Sequence, residues 1–297
     1  MRICCAGEVM VEMVPTGQAA TYRQGVAGDS FNTAIYLARA GLEVDYLTRI
    51  GDDALSDTII DQARFEGIGS SLMTRCPGRQ PGLYLITNDE LGEREFSYWR
   101  DQSPARELFD QVPALPGLDA FYFTGITLAV SRSGLDNLVT VLETLRENGA
   151  TIVFDPNYRP RLWRDRQQAQ EHYDRVLPLC DMVLPSLEDE TALWGTSSVD
   201  ECHAFYAALQ TRELVIKGDA MKTHVFSAGG DFSQQAQAVK AIDTTGAGDA
   251  FNAGYLSRRL SGLGIKESVS TAQQLSAIVV QHRGAIAPPS STKILEL

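Results

Sequence analysis

Short apolar segments rich in β-branched and aromatic residues alternate, along most of the chain, with longer segments of helical spacing. Residues 30–40 place Phe31, Ala34 and Ile35 on one face, and this spacing predicts an amphipathic helix closed by Gly41. Either Asp29 or Ser30 is expected to cap it. The pattern predicts strands at 2–6, 44–50, 120–124, 151–155, 182–184, 214–217 and 224–227, and helices at 30–40, 56–66, 135–148, 187–194, 247–260 and 266–282.

The segment between the second and third predicted strands has a different pattern. Residues 83–87 and 94–99 are strand-like and are joined by the turn-rich stretch 88–92, which predicts a β-hairpin. Residues 12–14 and 20–23 predict a second small antiparallel pair. We interpret these pieces, from about 11–24 and 83–99, as a β lid on a single domain that spans 1–297.

Strands that alternate with helices predict an α/β fold with a mostly parallel sheet covered by helices on both faces. Ligands of such folds bind at the carboxyl ends of the strands. Motifs that follow predicted strands are therefore the strongest candidates for chemistry.

Composition and charge disfavour several classes of protein. Lysine and arginine total 26 against 38 aspartates and glutamates, so the net charge is −12 and a general nucleic-acid binder is disfavoured. No stretch approaches the ~20 apolar residues of a membrane span, and Glu8 interrupts any export signal. The five cysteines show no paired spacing. We therefore expect a cytoplasmic protein with reduced, buried thiols and no membrane partner.

The strongest local motif is Asp-Thr-Thr-Gly-Ala-Gly-Asp at 243–249, directly before a predicted helix. The first turn of a helix has unpaired N–H groups, and glycines allow a phosphate to approach them closely. Asp249 points into the same region and is a candidate general base. The alternative is that Gly246 and Gly248 form a tight turn and Asp249 caps the helix.

Two motifs resemble the signatures of the ribokinase-like (PfkB) carbohydrate kinases. Residues 243–249 match the C-terminal signature, and 27–32 match the N-terminal Gly-Gly-x-x-x-Asn except that Ala27 replaces the first glycine. The resemblance implies a three-layer α/β/α fold with a mostly parallel sheet and a small β lid. Four further segments resemble the bacterial branch that phosphorylates 2-keto-3-deoxygluconate: 81–84, 98–100, 154–163 and 281–286.

For this branch the resemblance implies transfer of the ATP γ-phosphoryl group to the 6-hydroxyl of the sugar acid, which yields the Entner–Doudoroff intermediate 2-keto-3-deoxy-6-phosphogluconate. It implies that Asp249 takes the hydroxyl proton and that the N–H groups of Gly246, Ala247 and Gly248 bind the developing charge. Magnesium is expected as the cofactor that bridges the ATP phosphates, held mainly through water. A monovalent cation near this turn is a further expectation.

The resemblance also assigns the acceptor site. Arg100 and Arg159 are expected to meet the carboxylate, because a guanidinium presents a planar fork of donors. Tyr84 and Tyr98 are expected to bind the acceptor through their hydroxyls, and packing within the hairpin is the alternative for both. The backbone at Gly28 and the side chain of Asn32 complete the predicted acceptor site.

The nucleotide site is matched less closely. The residues expected to contact ATP are Asn157, Ser186, Lys217, Gly246, Gly248 and Gln273. Ser186 and Asp189 replace the Asn and Glu of the family's Asn-x-x-Glu motif, and Asp189 is expected to hold magnesium-bound water. Asp219 falls where a glycine is usual.

Three alternatives remain open from the sequence. The acceptor could be 2-keto-3-deoxygalactonate, which differs from the gluco acid in one hydroxyl orientation, or a neutral sugar such as fructose or ribose. The chain could also be a sugar-acid sensor without activity. Because the lid has an exposed edge, we expect a homo-oligomer.

Overall fold

A computed structural model describes residues 1–16, 18, 20–88 and 94–295. The predicted hairpin turn at 88–92 lies almost wholly outside them. The strands are β1 (Arg2–Ala6), β2 (Met10–Pro15), β3 (Tyr22–Ala27), β4 (Glu43–Ile50), β5 (Met73–Arg75), β6 (Gly82–Asn88), β7 (Arg94–Trp99), β8 (Ala120–Thr124), β9 (Thr151–Asp155), β10 (Met182–Val183), β11 (Glu213–Lys217), β12 (Lys222–Ser227) and β13 (Phe232–Gln235). The helices are α1 (Asp29–Arg39), α2 (Ala54–Phe65), α3 (Gly125–Val130), α4 (Leu135–Glu147), α5 (Arg166–Val176), α6 (Leu187–Trp194), α7 (Val199–Ala208), α8 (Ala247–Arg259) and α9 (Ile265–Val279).

Within the described residues the main sheet has the strand order β13-β12-β11-β10-β9-β8-β1-β4-β5. The strands from β11 to β5 in this order pair in parallel, and β12 and β13 add an antiparallel edge. This arrangement confirms the predicted mostly parallel α/β sheet.

Apolar clusters cover both faces of the main sheet. Along β1, Ile3 and Cys5 belong to the cluster that includes α1, α8 and α9, whereas Cys4 and Ala6 belong to the cluster that includes α4 and α5. Successive side chains of a strand point to opposite faces, so a strand buried on both sides must be apolar throughout. The layers are therefore helix, sheet and helix, as expected.

The two predicted hairpins form one small sheet with the order β3-β2-β6-β7. Strands β2 and β6 pair in parallel at its centre, with Met10 opposite Gly82, and this junction was not predicted. Three aromatic side chains of β7 remain partly or largely exposed: Phe96, Tyr98 and Trp99. The homo-oligomer and the single-domain boundaries stay predictions.

Some element boundaries differ from the predictions for local reasons. Helix α1 begins one residue early with Gly28 as its N-cap, so the expected caps Asp29 and Ser30 are wrong. Helix α2 begins at Ala54 because the Asp53 side chain accepts a hydrogen bond from the Ser56 N–H.

The pattern also failed to predict α3, α5, α7, β5 and β13. Helix α5 is mostly polar and buries only Ala169, Tyr173 and Val176. All five cysteines lie buried and free of disulfides, as expected. Among the described residues, no helix combines the length and apolarity needed to cross a bilayer.

Candidate active site

A cavity of about 600 Å³ lies between the small sheet and the carboxyl ends of the central parallel strands. Most of the predicted site residues line it: Gly28, Asn32, Tyr84, Tyr98, Arg100, Asn157, Arg159, Ser186, Asp189, Lys217, Gly246, Ala247, Gly248 and Asp249. Gln273 does not line this cavity. Its amide is bonded to Thr223 (3.1 Å) and Gln234 (2.9 and 3.0 Å) beside the antiparallel edge.

The turn before α8 is held in an unusual conformation by its surroundings. Gly246 is the N-cap of α8 and has a φ of 75°, in the left-handed region. A Cβ at this position would lie 2.7 Å from that of Ala285. Asp243 fixes the turn, since its carboxylate accepts hydrogen bonds from the Thr245 and Gly284 N–H groups at 3.1 and 2.6 Å. A glycine is therefore required where the chain enters the helix.

Two N–H groups of the turn are the stronger candidates for binding an anion. The Ala247 N–H already donates to the Thr244 carbonyl at 3.2 Å. Within the described chain, the N–H groups of Gly246 and Gly248 have no such acceptor. Because Gly246 occupies the N-cap, Asp249 lies inside the first turn and does not cap the helix, so the capping alternative is wrong.

Asp249 lies directly against the N-terminal motif. Asn32 on α1 donates through Nδ2 to Asp249 Oδ2 at 2.8 Å, and Thr33 Oγ1 donates to the Asp249 carbonyl at 3.3 Å. The Asn32 Oδ1 accepts a hydrogen bond from the Gly28 N–H at 3.4 Å. Both ends of the Asn32 amide are thus engaged within the protein, so this side chain positions Gly28 and Asp249.

Burial and neighbouring charge make Asp249 a stronger base than an ordinary aspartate. Burial, followed by the negative charge of Asp29, raises its pKa to about 8, while Asn32 and Lys217 act in the opposite direction. Burial also raises the pKa of Asp29, whose carboxylate accepts a 2.9 Å hydrogen bond from Asn157. Asn157 itself has a φ of 34°, a conformation that asparagine tolerates better than most residues.

A second polar cluster, which the sequence did not predict, supports the floor of the cavity. Lys217 Nζ lies 3.3 Å from Asp155 Oδ1 and 3.1 Å from Asn252 Oδ1. Asn252 Nδ2 donates to Asp155 Oδ2 at 2.7 Å and to the Tyr122 hydroxyl at 3.1 Å. Asn252 is fully buried three residues after Asp249, on the same helix face. This three-residue spacing from Asp249 was the only feature of the sequence that pointed to Asn252.

Both predicted acceptor arginines face a carboxylate of the protein. Arg159 lies 3.1 Å from Asp189, and its side chain is 52% exposed. Arg100 forms an ion pair with buried Glu8. Each guanidinium carries five N–H donors, so neither pairing uses all of them. Ser186 caps α6 by accepting the Asp189 N–H at 3.1 Å.

The two tyrosines differ in how their hydroxyls are used. The Tyr84 hydroxyl donates to Glu12 Oε2 at 2.7 Å, and burial together with Glu12 raises the Tyr84 pKa. Its predicted contact with the acceptor would require this bond to be shared. The Tyr98 side chain is 51% exposed, and its ring lies 5.7 Å from the Arg100 guanidinium. Tyr98 is therefore the tyrosine whose hydroxyl is better placed to meet a ligand.

The charged side chains that line the cavity suit a cation that binds together with a polyphosphate. Among the described residues that line it, six are carboxylates and only three are cationic. The described residues contain no cluster able to hold a metal ion by protein ligands alone. A magnesium ion held by phosphate oxygens and water, with carboxylates such as Asp189 and Glu188 behind the water, matches these side chains.

Comparisons with known proteins give the relationship directly. A family model described as pfkB family carbohydrate kinase matches residues 1–293. The chain is 36% identical to 2-dehydro-3-deoxygluconokinase of Escherichia coli strain K12, with 97% of each chain covered.

Two solved structures are also similar. A double mutant of Vibrio cholerae O395 fructokinase, in a fructose-, ADP- and potassium-bound form, has a TM-score of 0.85 at 26% identity, covering 99% of this chain and 95% of that one. The 2-dehydro-3-deoxygluconokinase of Thermotoga maritima has a TM-score of 0.86 at 22% identity and covers 99% and 98% of the two chains, which supports the fold. A monovalent cation in the present chain stays a prediction.

The raised pKa of Asp249 predicts a specific dependence of stability on pH. Between pH 4 and 8 the folded protein keeps a proton that the unfolded chain has lost, so the wild-type free energy of unfolding falls as pH rises. Asp249→Asn removes this penalty. We expect it to stabilise the protein by an amount that grows across this window, on the order of 1 kcal/mol per pH unit, and then levels off. Chemical unfolding from pH 5 to 9 measures the difference.

Asp165→Asn serves as the control. Arg164 and the Gln168 N–H lower the pKa of Asp165. The ionised Asp165 side chain therefore contributes a constant amount to the stability of the fold at any pH above the ordinary pKa of an aspartate. This variant should be slightly less stable than wild type by the same amount at every pH from 5 to 9. A difference between Asp249→Asn and wild type that does not change with pH would contradict the assignment.

Proposed function

The chain belongs to the pfkB family of carbohydrate kinases, and we propose that it transfers the γ-phosphoryl group of ATP to the 6-hydroxyl of 2-keto-3-deoxygluconate (2-dehydro-3-deoxygluconate). The observation that carries the proposal is the pairing of Asn32 with Asp249 at the anion-binding turn, in a cavity that also holds Arg100 and Arg159. The E. coli relative, similar over nearly its whole length, supports the sugar acid as acceptor.

In the proposed reaction a bond forms between the acceptor 6-oxygen and the γ-phosphorus, and the bond from that phosphorus to the β,γ-bridging oxygen breaks. The hydroxyl proton passes to the Asp249 carboxylate. Asn32 holds this carboxylate in place through the 2.8 Å hydrogen bond from Asn32 Nδ2 to Asp249 Oδ2. The raised pKa of Asp249 favours acceptance of this proton. The N–H groups of Gly246 and Gly248 stabilise the charge that develops on the transferring group.

The remaining side chains orient the two ligands. Arg159 and Arg100 bind the acceptor carboxylate, with Tyr98 beside them. Ser186, Lys217 and Asn157 line the same cavity and are the residues proposed to bind the nucleotide, whereas a contact from Gln273 would require ATP to extend beyond this cavity. Asp189 would hold the water of a bound magnesium ion, and that ion would neutralise phosphate charge.

A second cavity favours an anionic acceptor over a neutral sugar. It shares Tyr98, Arg100 and Arg159 with the first and continues past Arg106, Arg132 and Arg161. A concentration of arginines at the acceptor end would attract an acid to a protein of net charge −12. The burial of Asp249 argues against a sensor without activity, because a buried carboxyl group with a raised pKa weakens the folded state as the pH rises and gives a sensor nothing in return.

The proposed base predicts that Asp249→Asn abolishes turnover. The substitution preserves shape and the contact with Asn32 but removes the proton acceptor, so we expect kcat to fall by ~10²–10⁴ while nucleotide binding, measured by calorimetry, is unchanged. For the wild type, kcat/KM should rise with pH up to about 8, where the base is ionised. Retained turnover in Asp249→Asn, as in the control Asp165→Asn, would exclude this residue as the base.

The proposed carboxylate contact predicts that Arg159→Ala acts selectively. We expect kcat/KM for 2-keto-3-deoxygluconate to fall by about 10- to 100-fold, and that for fructose to change little, because only the acid engages the guanidinium. Coupled assays of ADP release over both acceptors and 2-keto-3-deoxygalactonate give the comparison. Arg175→Ala is the matched control, since Arg175 is similarly exposed and lies 2.9 Å from Asp136, outside the cavity.

Equal losses for the acid and for fructose in Arg159→Ala would contradict recognition of the carboxylate by this residue. A wild-type preference for fructose would favour the second candidate, a neutral-sugar kinase. The fructokinase relationship supports that alternative.

A further inference from the structure

Glu8 is a buried acid at the cavity whose hydrogen-bonding capacity is incompletely used. It follows β1 at the junction of the two sheets and lines the cavity, and its side chain is only 1% exposed. Its Oε2 faces Arg100 Nη2 in an ion pair, but among the described residues neither Oε2 nor Oε1 receives a hydrogen bond. A buried carboxylate oxygen without a donor is unfavourable, so it requires an explanation.

Another buried pair in the same protein shows what a purely structural ion pair looks like. Arg39 donates to both carboxylate oxygens of Glu66, each at 2.7 Å, and Gln62 adds a third donor at 3.1 Å. That carboxylate is satisfied by the protein and does not line the cavity. Glu8, in contrast, lines the cavity and forms an ion pair with Arg100, but neither of its carboxylate oxygens receives a hydrogen bond from the described residues.

The backbone around Glu8 makes room for this arrangement. A Cβ at Gly82 would lie 2.8 Å from Glu8 Oε1, and a Cβ at Gly28 would lie 2.3 Å from the Glu8 carbonyl oxygen. Gly28 in turn is bonded to Asn32, which holds Asp249. Glu8 therefore occupies a defined position relative to the proposed base, on the side of the cavity next to the lid.

We propose that Glu8 is a further acceptor-binding residue: Oε1 accepts a hydrogen bond from a hydroxyl of the acceptor, while Oε2 orients Arg100 toward its carboxylate. The inference rests on the proposed function and deepens it. The ligand class that satisfies both groups is a polyhydroxy acid, which brings hydroxyl donors and a carboxylate together. An acceptor without the contacted hydroxyl would leave a buried oxygen unpaired, so Glu8 would select for that hydroxyl.

The test compares Glu8→Gln with wild type on 2-keto-3-deoxygluconate and on two analogues, one without the 4-hydroxyl and one without the 5-hydroxyl. We expect kcat/KM for the full acceptor to fall by about 10- to 100-fold, as for loss of a hydrogen bond to a charged group. For the analogue that lacks the contacted hydroxyl the substitution should have little effect, because the interaction is already absent. The KM for ATP should stay unchanged.

Glu66→Gln is the matched control, since it makes the same change in a buried pair outside the cavity. It should lower the melting temperature and leave kcat/KM for every acceptor unchanged. If Glu8→Gln fails to fold, Glu8→Asp gives the same comparison, because it keeps the charge and withdraws the carboxylate by one methylene.

The outcomes separate this inference from the proposed function. Equal losses on the full acceptor and on both analogues would overturn hydroxyl recognition by Glu8 while leaving the kinase assignment intact. A wild-type protein that does not phosphorylate the sugar acid would overturn the proposed function and this inference with it.

Discussion

The arrangement of the site depends on one contact, the hydrogen bond between Asn32 of α1 and Asp249 of α8. The two residues are 217 positions apart, and their helices pack side by side on the same face of the main sheet. Strand β3 of the small sheet runs directly into Gly28 and α1, so the small sheet, Gly28 and the proposed base are all positioned by one helix. A shift of α1 would displace all three together. The Asn32 side chain opposes such a shift, because its amide is hydrogen-bonded to Gly28 at one end and to Asp249 at the other.

A second constraint is charge. Within the described lining of the cavity, carboxylates outnumber cationic groups, yet the proposed ligands are anions. The protein manages this by pairing acids with bases: Arg159 with Asp189, Arg100 with Glu8, and Lys217 with Asp155. Among the described residues, no cation lies within salt-bridge distance of Asp249 and its pKa is raised, so the proposed base occupies a position that weakens the folded state as the pH rises.

The layered fold and the turn at 243–249 were predictable from local patterns, whereas most other residues of the cavity were predicted from the resemblance to the carbohydrate kinases. Buried strands are apolar throughout, and the glycine-rich turn at 243–249 is a contiguous motif. The partners of the site residues were not predictable in the same way. The contacts of Glu8 with Arg100 and of Glu12 with Tyr84 join residues distant in sequence. The pairing of β2 with β6 and of β6 with β7 in the small sheet brings them together, and the first of these pairings was not predicted. Polar helix α5 was missed because few of its residues are buried.

Identifying the product tests the proposed phosphoryl transfer most directly. Purified protein is incubated with ATP, magnesium and 2-keto-3-deoxygluconate, and the mixture is followed by phosphorus NMR with proton coupling. We expect loss of the γ-phosphate signal and a new phosphate monoester signal coupled to the two protons on carbon 6. An ester at another position, or no ester with the sugar acid while a neutral sugar is phosphorylated, would contradict it.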